Sequence, residues 1–384
     1  MKKYDVIIIG AGAAGLSAAR AAISHGRSVA VIDMGATPAR KVAVSGGGRC
    51  NFTNAAATRD RYFGTNPDFV RGALARVTPD DILDWARRHN ISWSEKSAGQ
   101  YFGDNAQSVV NALVSDTRGA KIILGDAVLD VQHNGTEFII RAQSGTYAAT
   151  SVIVASGGVS FPTLGVSDIG YKIAKHFGHK IVPPRPALCA IVTDAIPPEL
   201  AGISLNAKIT CGRDHVTDSM LFTHSGIGGP VAYRTTVRDC NDDLILDLLP
   251  DVDAFAWLRT AKQTMGSKSP GAILSEKLPA RVARWIADGA PAHIADMRDT
   301  ALATMAQRIN HIVIAHDKYR LHGMSGAEVT RGGIATDDVS SKTMESKIRP
   351  GLFFAGEVLD IAGDLGGFNL HWAWASGTIA GQNA

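Results

Sequence analysis

The opening stretch YDVIIIGAGAAGLSAARAAISHGRSVAVIDM, Tyr4 to Met34, leaves this chain few choices of fold. Tyr4 to Ile9 is a run of strand length, apolar but for Asp5 and rich in isoleucine, as suits a strand buried on both faces. Gly10, Gly12 and Gly15 follow as GxGxxG. The first permits a tight turn, the second a close approach of pyrophosphate, and the third close packing of helix on strand. A helix from about Ala13 to His25 then offers free amides and a positive dipole end to phosphate, and Gly26 can stop it. SVAVID supplies a second strand ending in Asp33, where a carboxylate accepts hydrogen bonds from an adenosine ribose. An acid there favours an unphosphorylated ribose, hence FAD or NAD over NADP.

The rest of the composition narrows the class. At 384 residues two or three domains are expected, and 45% hydrophobic with 20% charged residues fits a soluble globular protein. The 40 glycines cluster in a few loops, which points to cofactor loops and not to a linker. A net charge of +3 neither demands nor excludes an anionic partner. Cys50, Cys189, Cys211 and Cys240 stand far apart with no CxxC pair. A disulfide framework, a zinc site and dithiol chemistry are therefore not expected, and a reducing cytoplasm fits. Asp5 interrupts the apolar N-terminus, against a secretory signal, and no run reaches the roughly 20 apolar residues of a membrane span.

Two further glycine segments separate the dinucleotides. SVIVASGGVSFPTLG carries a β-branched run into Gly157-Gly158. GLFFAGEVLDIAGDLGGFNLHWAWASGTIAG reads as a strand, then Gly356-Glu357, a glycine loop and a terminal helix. A nucleotide domain opened by the first segments and closed by the last suits FAD, and no second GxGxxG marks a dedicated NAD(P)H domain. The expected class is α/β. A Rossmann-type FAD-binding domain with a parallel sheet takes residues 1–185 and 335–384, an inserted antiparallel β domain takes 186–252 and 311–334, and a helical insertion takes 253–310.

The stretches KVAVSGGGRCNFTN, SGGVSFPTLGVSDIGYKIAKHFGHKIVPPRPAL, LFTHSGIGGP and GGIATDDVSSKTMESKIRPGLFFAGEVLDIAGDLGGFNLHWAWASG resemble a family of bacterial flavoproteins. These are usually labelled NAD(P)/FAD-dependent oxidoreductases or aminoacetone oxidase family FAD-binding enzymes. The resemblance touches nearly the whole chain and is weakest over 250–322. It implies a tightly bound FAD, NAD(P)H as transient electron donor, and a GGGRCN loop that faces the flavin. Cofactor contacts are accordingly expected from Gly10, Gly12, Ala14, Gly15, Asp33, Lys41, Gly46, Gly47, Gly48, Arg49, Cys50, Asn51 and Val128. Further along the chain come Gly157, Gly158, Gly356, Glu357, Gly366, Gly367, Phe368 and Asn369, with Asp360 and Asp364 as weaker candidates.

The physical chemistry of these residues agrees. Consecutive glycines at 46–48 let backbone amides reach a planar ring or phosphate that any Cβ would block. Arg49 can neutralise phosphate through its planar fork, and Asn51 offers donor and acceptor to a uracil-like edge. A helix N-terminus at Phe368 would stabilise negative charge on a reduced flavin by about 0.3–1 kcal/mol, up to ~2 when partly buried. Cys50 and His224 are the candidate proton donors; each also has a plain structural reading, as a packed thiol and a turn histidine. Trp372 and Trp374 read as core more readily than as a cofactor box.

In the middle, GAILSEKLPARVARWIADG reads as helix, with Leu274, Leu278, Val282 and Trp285-Ile286 on one face, and PPRP at 183–186 as a stiff hinge. Arg259, Lys262, Lys268, Lys277, Arg281 and Arg284 form a basic segment that could hold RNA phosphates or be a solvated helix face. The family resemblance implies reduction of an activated carbon–carbon double bond, in a steroid-like enone or a uracil of ribosomal RNA. The alternatives are an FAD-dependent amine oxidase and a non-catalytic FAD- or RNA-binding protein.

Overall fold

A computed structural model describes residues 1–96 and 99–384. The chain divides into two compact units, Met1–Pro186 with Ala327–Ala384, and Ala187–Gly326. No described helix is long and apolar enough to cross a membrane.

The first unit is built on a 7-stranded sheet. Its parallel centre runs Lys121–Leu124, Val29–Asp33, Lys2–Ile9, Gly145–Val154 and Leu352–Phe354. Val6, Ile7, Ile8, Val29 to Ile32 and Val152 to Val154 are all buried, which is why these runs read as continuously apolar. Phe138–Ala142 and Val128–His133 extend the sheet antiparallel on one side. Leu352–Phe354 arrives from the far end of the chain to pair with Val152–Val154, so the N- and C-terminal segments share one core.

The last helix, Phe368–Asn383, lies against the first, Ala13–Ser24. Their backbones pass so close that a Cβ on Gly377 would stand 2.2 Å from the Ala14 carbonyl oxygen, and one on Gly381 2.1 Å from that of Ala18. Trp372 and Trp374 are buried, donating to the carbonyls of Gly356 at 3.2 Å and Phe52 at 2.7 Å. They are core, as their helix position suggested.

The second unit is a 7-stranded antiparallel sheet packed with five α-helices among the described residues: Gly229–Thr236, Ala254–Thr264, Pro270–Leu274, Ala280–Ile286 and Asp299–Asn310. Sheet and helices share a single core that includes Ile209, Phe222, Leu258, Val282 and Ile309. The helical segment is thus no separate body.

Four expectations are corrected. The stretch 271–289 is not one helix but two, because Pro279 has no amide to continue the first and precedes the second at Ala280. The PPRP run does end where the first unit ends, but it does so as part of a strand, Ile181–Ala187, paired with Val329–Ile334 in a two-stranded sheet where a proline's missing amide costs little. That pairing also places 327–334 in the first unit and not with the β domain. Finally, Cys211 and Cys240 form a disulfide, brought together because Cys211 ends Ser204–Cys211 at the edge where the chain returns after 29 residues.

Gly381→Val tests the helix contact. Overpacking of about 3 kcal/mol is expected at so close an approach, seen as a lowered thermal midpoint. A midpoint equal to the wild type would show that the helices can part at no cost.

Candidate functional site

The glycine turn after the first strand is braced from below. Asp33 Oδ2 accepts from the Ala11 amide at 2.7 Å, while Oδ1 accepts from Gly35 at 2.7 Å and from Arg40 at 2.9 Å. Asp33 therefore shapes the loop as well as lying where a ribose carboxylate belongs; each carboxylate oxygen has lone pairs for more than one donor. Gly10 is at φ +110°, and a Cβ there would lie 2.3 Å from the Ala155 carbonyl oxygen. Gly12 instead faces open space. The first helix starts on Gly12 with no side-chain cap and no acid in its first turn, so its leading amides have no side-chain acceptor. This is the donor set a pyrophosphate requires.

A polar network borders the same turn. Glu357 accepts from Lys41 Nζ at 2.7 Å, from Ser160 Oγ at 3.1 Å and from the Thr330 amide at 2.7 Å. Thr330 Oγ1 accepts in turn from the amides of Val159 and Ser160, fixing the loop that carries Gly157 and Gly158. Gly158 has no room for a Cβ, which would meet Thr330 Oγ1 at 2.4 Å, whereas Gly157, at φ +75°, faces open space. Ser156 Oγ and Tyr171 Oη are buried without a hydrogen-bond partner. Orphaned hydroxyls beside a glycine cradle fit a polar ligand.

The GGGRCN loop forms the second flank. Helix Arg40–Gly48 is broken at Ser45, and Gly46, Gly47 and Gly48 all take positive φ. Cβ positions at Gly47 and Gly48 meet nothing within 4 Å, so bare backbone faces outward there. Cys50 is also left-handed, at φ 58°, yet its side chain is fully buried. Burial pushes its thiol up to about 12, partly offset by a hydrogen bond with Ser45.

The Asn51 amide, oriented so that both its atoms are satisfied, donates to the Tyr101 carbonyl and accepts from the Gly367 amide at 3.2 Å. It ties the two glycine loops together instead of presenting a free edge. Gly366 and Gly367 are at φ +122° and +96°, and a Cβ on Gly367 would lie 2.6 Å from the Thr53 carbonyl oxygen. Asn369 closes this turn by bonding both backbone groups of Gly363, and Phe368 is buried against Tyr62. Gly356 passes within Cβ contact of Ala14, and Val128 is buried in its strand. Asp360 accepts from Thr65, and Asp364 pairs with Arg61 at 3.4 Å, so both serve the 61–65 segment.

Two residues escaped the sequence reading. His371 is fully buried, its Nδ1 2.7 Å from Thr53 Oγ1 and its Nε2 3.0 Å from the Val77 carbonyl. The carbonyl requires a proton on Nε2, and because burial keeps the ring neutral near pH 7, Nδ1 accepts from Thr53. Glu328 reaches solvent yet is crowded by protein; desolvation pushes its carboxyl above the usual range against the pull of Lys41. Its carbonyl accepts from Ser160 Oγ at 3.4 Å, which sets it beside the Glu357 network. His224 belongs to the second unit, exposed in the turn between Asp214–Thr223 and Gly226–Gly228.

Two outcomes follow. Asp33→Ala removes both ribose acceptor and loop brace, and should weaken FAD binding by about 1–3 kcal/mol; an unchanged flavin Kd would show the carboxylate idle. Burial holds His371 down at about 4, against 6.5 when unfolded. The unfolded chain thus takes up the proton first, so this stability is complete above pH 6.5 and drains away as pH falls toward 4. Unfolding free energies from urea titrations at pH 7 and pH 4.5 should differ by about 2–3 kcal/mol more in the wild type than in His371→Gln. Equal differences would mean that His371 is not held neutral.

Residues 4–383 match the family described as HI0933-like protein Rossmann domain. The chain is 39% identical over 397 residues to a ribosomal RNA dihydrouridine synthase of Haemophilus influenzae, covering 98% of this chain and 97% of that one. It is 36% identical over 398 residues to the Escherichia coli protein of the same name, covering 100% and 98%. A 3-dehydro-bile acid delta(4,6)-reductase of Clostridium scindens is 30% identical, with 98% of each chain covered. The chain belongs to the HI0933-like family and is a flavoprotein oxidoreductase.

Proposed function

We propose that this member of the HI0933-like family reduces the C5–C6 double bond of a uracil in ribosomal RNA, using FAD with NAD(P)H as electron donor, in the cytoplasm. The observation that carries the reading is end-to-end similarity to two proteins named for making dihydrouridine in ribosomal RNA. The relative named as a bile acid reductase takes a different substrate class, which supports reduction as the shared chemistry.

Once reduced by NAD(P)H, a bound FAD would supply the hydride for the double bond. The residues around it hold, orient and protonate. The uncapped amides at Ala13 and the turn braced by Asp33 hold the diphosphate end. The outward backbone of Gly47 and Gly48 accepts a planar group that a side chain would exclude. Asn51 and His371 fix the two glycine loops and the terminal helix in register.

Reduction also needs a proton beside the double bond. A thiol enclosed by protein and held near 12 gives up its proton too reluctantly near neutrality, so Cys50 contributes packing. We assign the proton to Glu328, whose backbone carbonyl joins the Ser160–Glu357 network and whose side chain reaches solvent, its carboxyl raised above the usual range by desolvation against the pull of Lys41.

The test separates the half-reactions. Glu328→Gln should keep flavin and its reduction by NADPH, yet slow dihydrouridine formation in an unmodified ribosomal RNA transcript by about 10²–10⁴-fold. Cys50→Ala should keep both steps within a few-fold. Wild-type protein that reduces a steroid dienone but no RNA would sink the uracil reading. A slow Cys50→Ala with an intact Glu328→Gln would reverse the assignment of the acid.

A further inference from the structure

The small sheet beside the glycine loops gathers two cations on one aromatic ring. Trp93–Lys96 pairs antiparallel with Gln100–Gly103, setting Ser94 opposite Phe102 and Lys96 opposite Gln100. Alternation along each strand puts Ser94, Lys96, Gln100 and Phe102 on one face. That face meets both glycine loops. A Cβ at Gly46 would lie 3.1 Å from the Phe102 ring, and one at Gly366 3.2 Å from Gln100 Nε2.

Two cations sit on the single ring of Phe102. The Arg49 guanidinium stands 5.8 Å from its centroid and donates to Ser94 Oγ at 3.1 Å, and Lys96 Nζ is 4.2 Å from the same centroid. Among the described residues neither has a carboxylate partner within ion-pair distance, and Glu95 points to the opposite face of its strand. Like charges gathered on one ring repel, and an anion placed over them removes that cost.

The basic segment at 255–284 is different. Lys262 pairs with Asp299, Lys268 with Glu276, Lys277 lies over Trp257, and Arg281 donates to the carbonyls of Glu199 and Ala201. Most of its charge is already engaged within the protein.

We propose that Arg49 and Lys96, mounted on Phe102, form a phosphate clasp that seats the RNA backbone beside the glycine loops. This rests on the reading of the substrate as RNA. The planar fork of Arg49 suits two phosphate oxygens, and Lys96 adds a point charge beside it. Contacts of this kind position a strand without reading its sequence, leaving recognition of the base to the loops.

The experiment compares wild type, Lys96→Gln, Lys96→Glu and Lys268→Glu, all as flavin-loaded protein, binding an unmodified ribosomal RNA transcript across a salt series. Lys96→Gln should weaken binding and lower the log–log salt slope by about one, the signature of one lost phosphate contact, and Lys96→Glu should weaken it roughly tenfold or more. Flavin content and reduction by NADPH should stay at wild-type levels, and Lys268→Glu should bind as wild type does. Unchanged affinity and slope in both Lys96 variants overturn the clasp while leaving RNA as substrate. Loss of flavin from Lys96→Glu also overturns it, by assigning the pair to the cofactor. Wild-type protein that neither binds nor reduces the transcript overturns the substrate reading, and the clasp with it.

Discussion

Everything in the first unit depends on how closely two helices from opposite ends of the chain can approach. Gly377 and Gly381 leave no room for a side chain against the carbonyls of Ala14 and Ala18. This contact presses Phe368–Asn383 onto the helix whose N-terminal amides have no side-chain cap, and Trp372 extends it by bonding the Gly356 carbonyl. The phosphate turn and the C-terminal glycine loop are therefore two parts of one packed element. Moving either helix by the width of a methyl group would displace both loops.

The glycines of the site do two jobs that a sequence shows as one letter. At Gly10, Gly158, Gly356 and Gly367 hydrogen is required because other protein atoms crowd the position. At Gly12, Gly47, Gly48 and Gly157 nothing crowds it, and bare backbone faces outward. The first group builds the site and the second offers it to a ligand. A cluster of glycines announces a cofactor loop, but only the fold separates walls from floor.

Much was legible before the fold was known. The strand–turn–helix at Tyr4–His25, the carboxylate at Asp33, the C-terminal strand and the core tryptophans are all visible in local pattern, because an apolar run, a glycine turn and a helical spacing show themselves within a few residues even where their partners are distant. What escaped depends on partners far along the chain. Nothing near His371 predicts Thr53 and Val77, more than 290 residues away, and nothing near Glu328 predicts Lys41. The Cys211–Cys240 bridge was hidden for the same reason, since a strand and a returning loop close the distance that spacing alone suggested. Pro279 was visible and outweighed by periodicity, although a proline's missing amide is the more decisive local signal.

The motif SGGGRCN can now be divided by what each residue faces. Its glycines turn the backbone outward, its cysteine turns inward to the core, and its asparagine is spent on joining two loops. Arg49 alone sends its charge along the surface, onto the ring of Phe102 where Lys96 already lies. A loop that served only to cover the flat ring of a flavin would not need two cations gathered on an aromatic ring at its margin. One that must also draw in a polyanion has use for them, because unpaired charge at the rim attracts phosphate from solution while the glycines behind it stay open to a flat base.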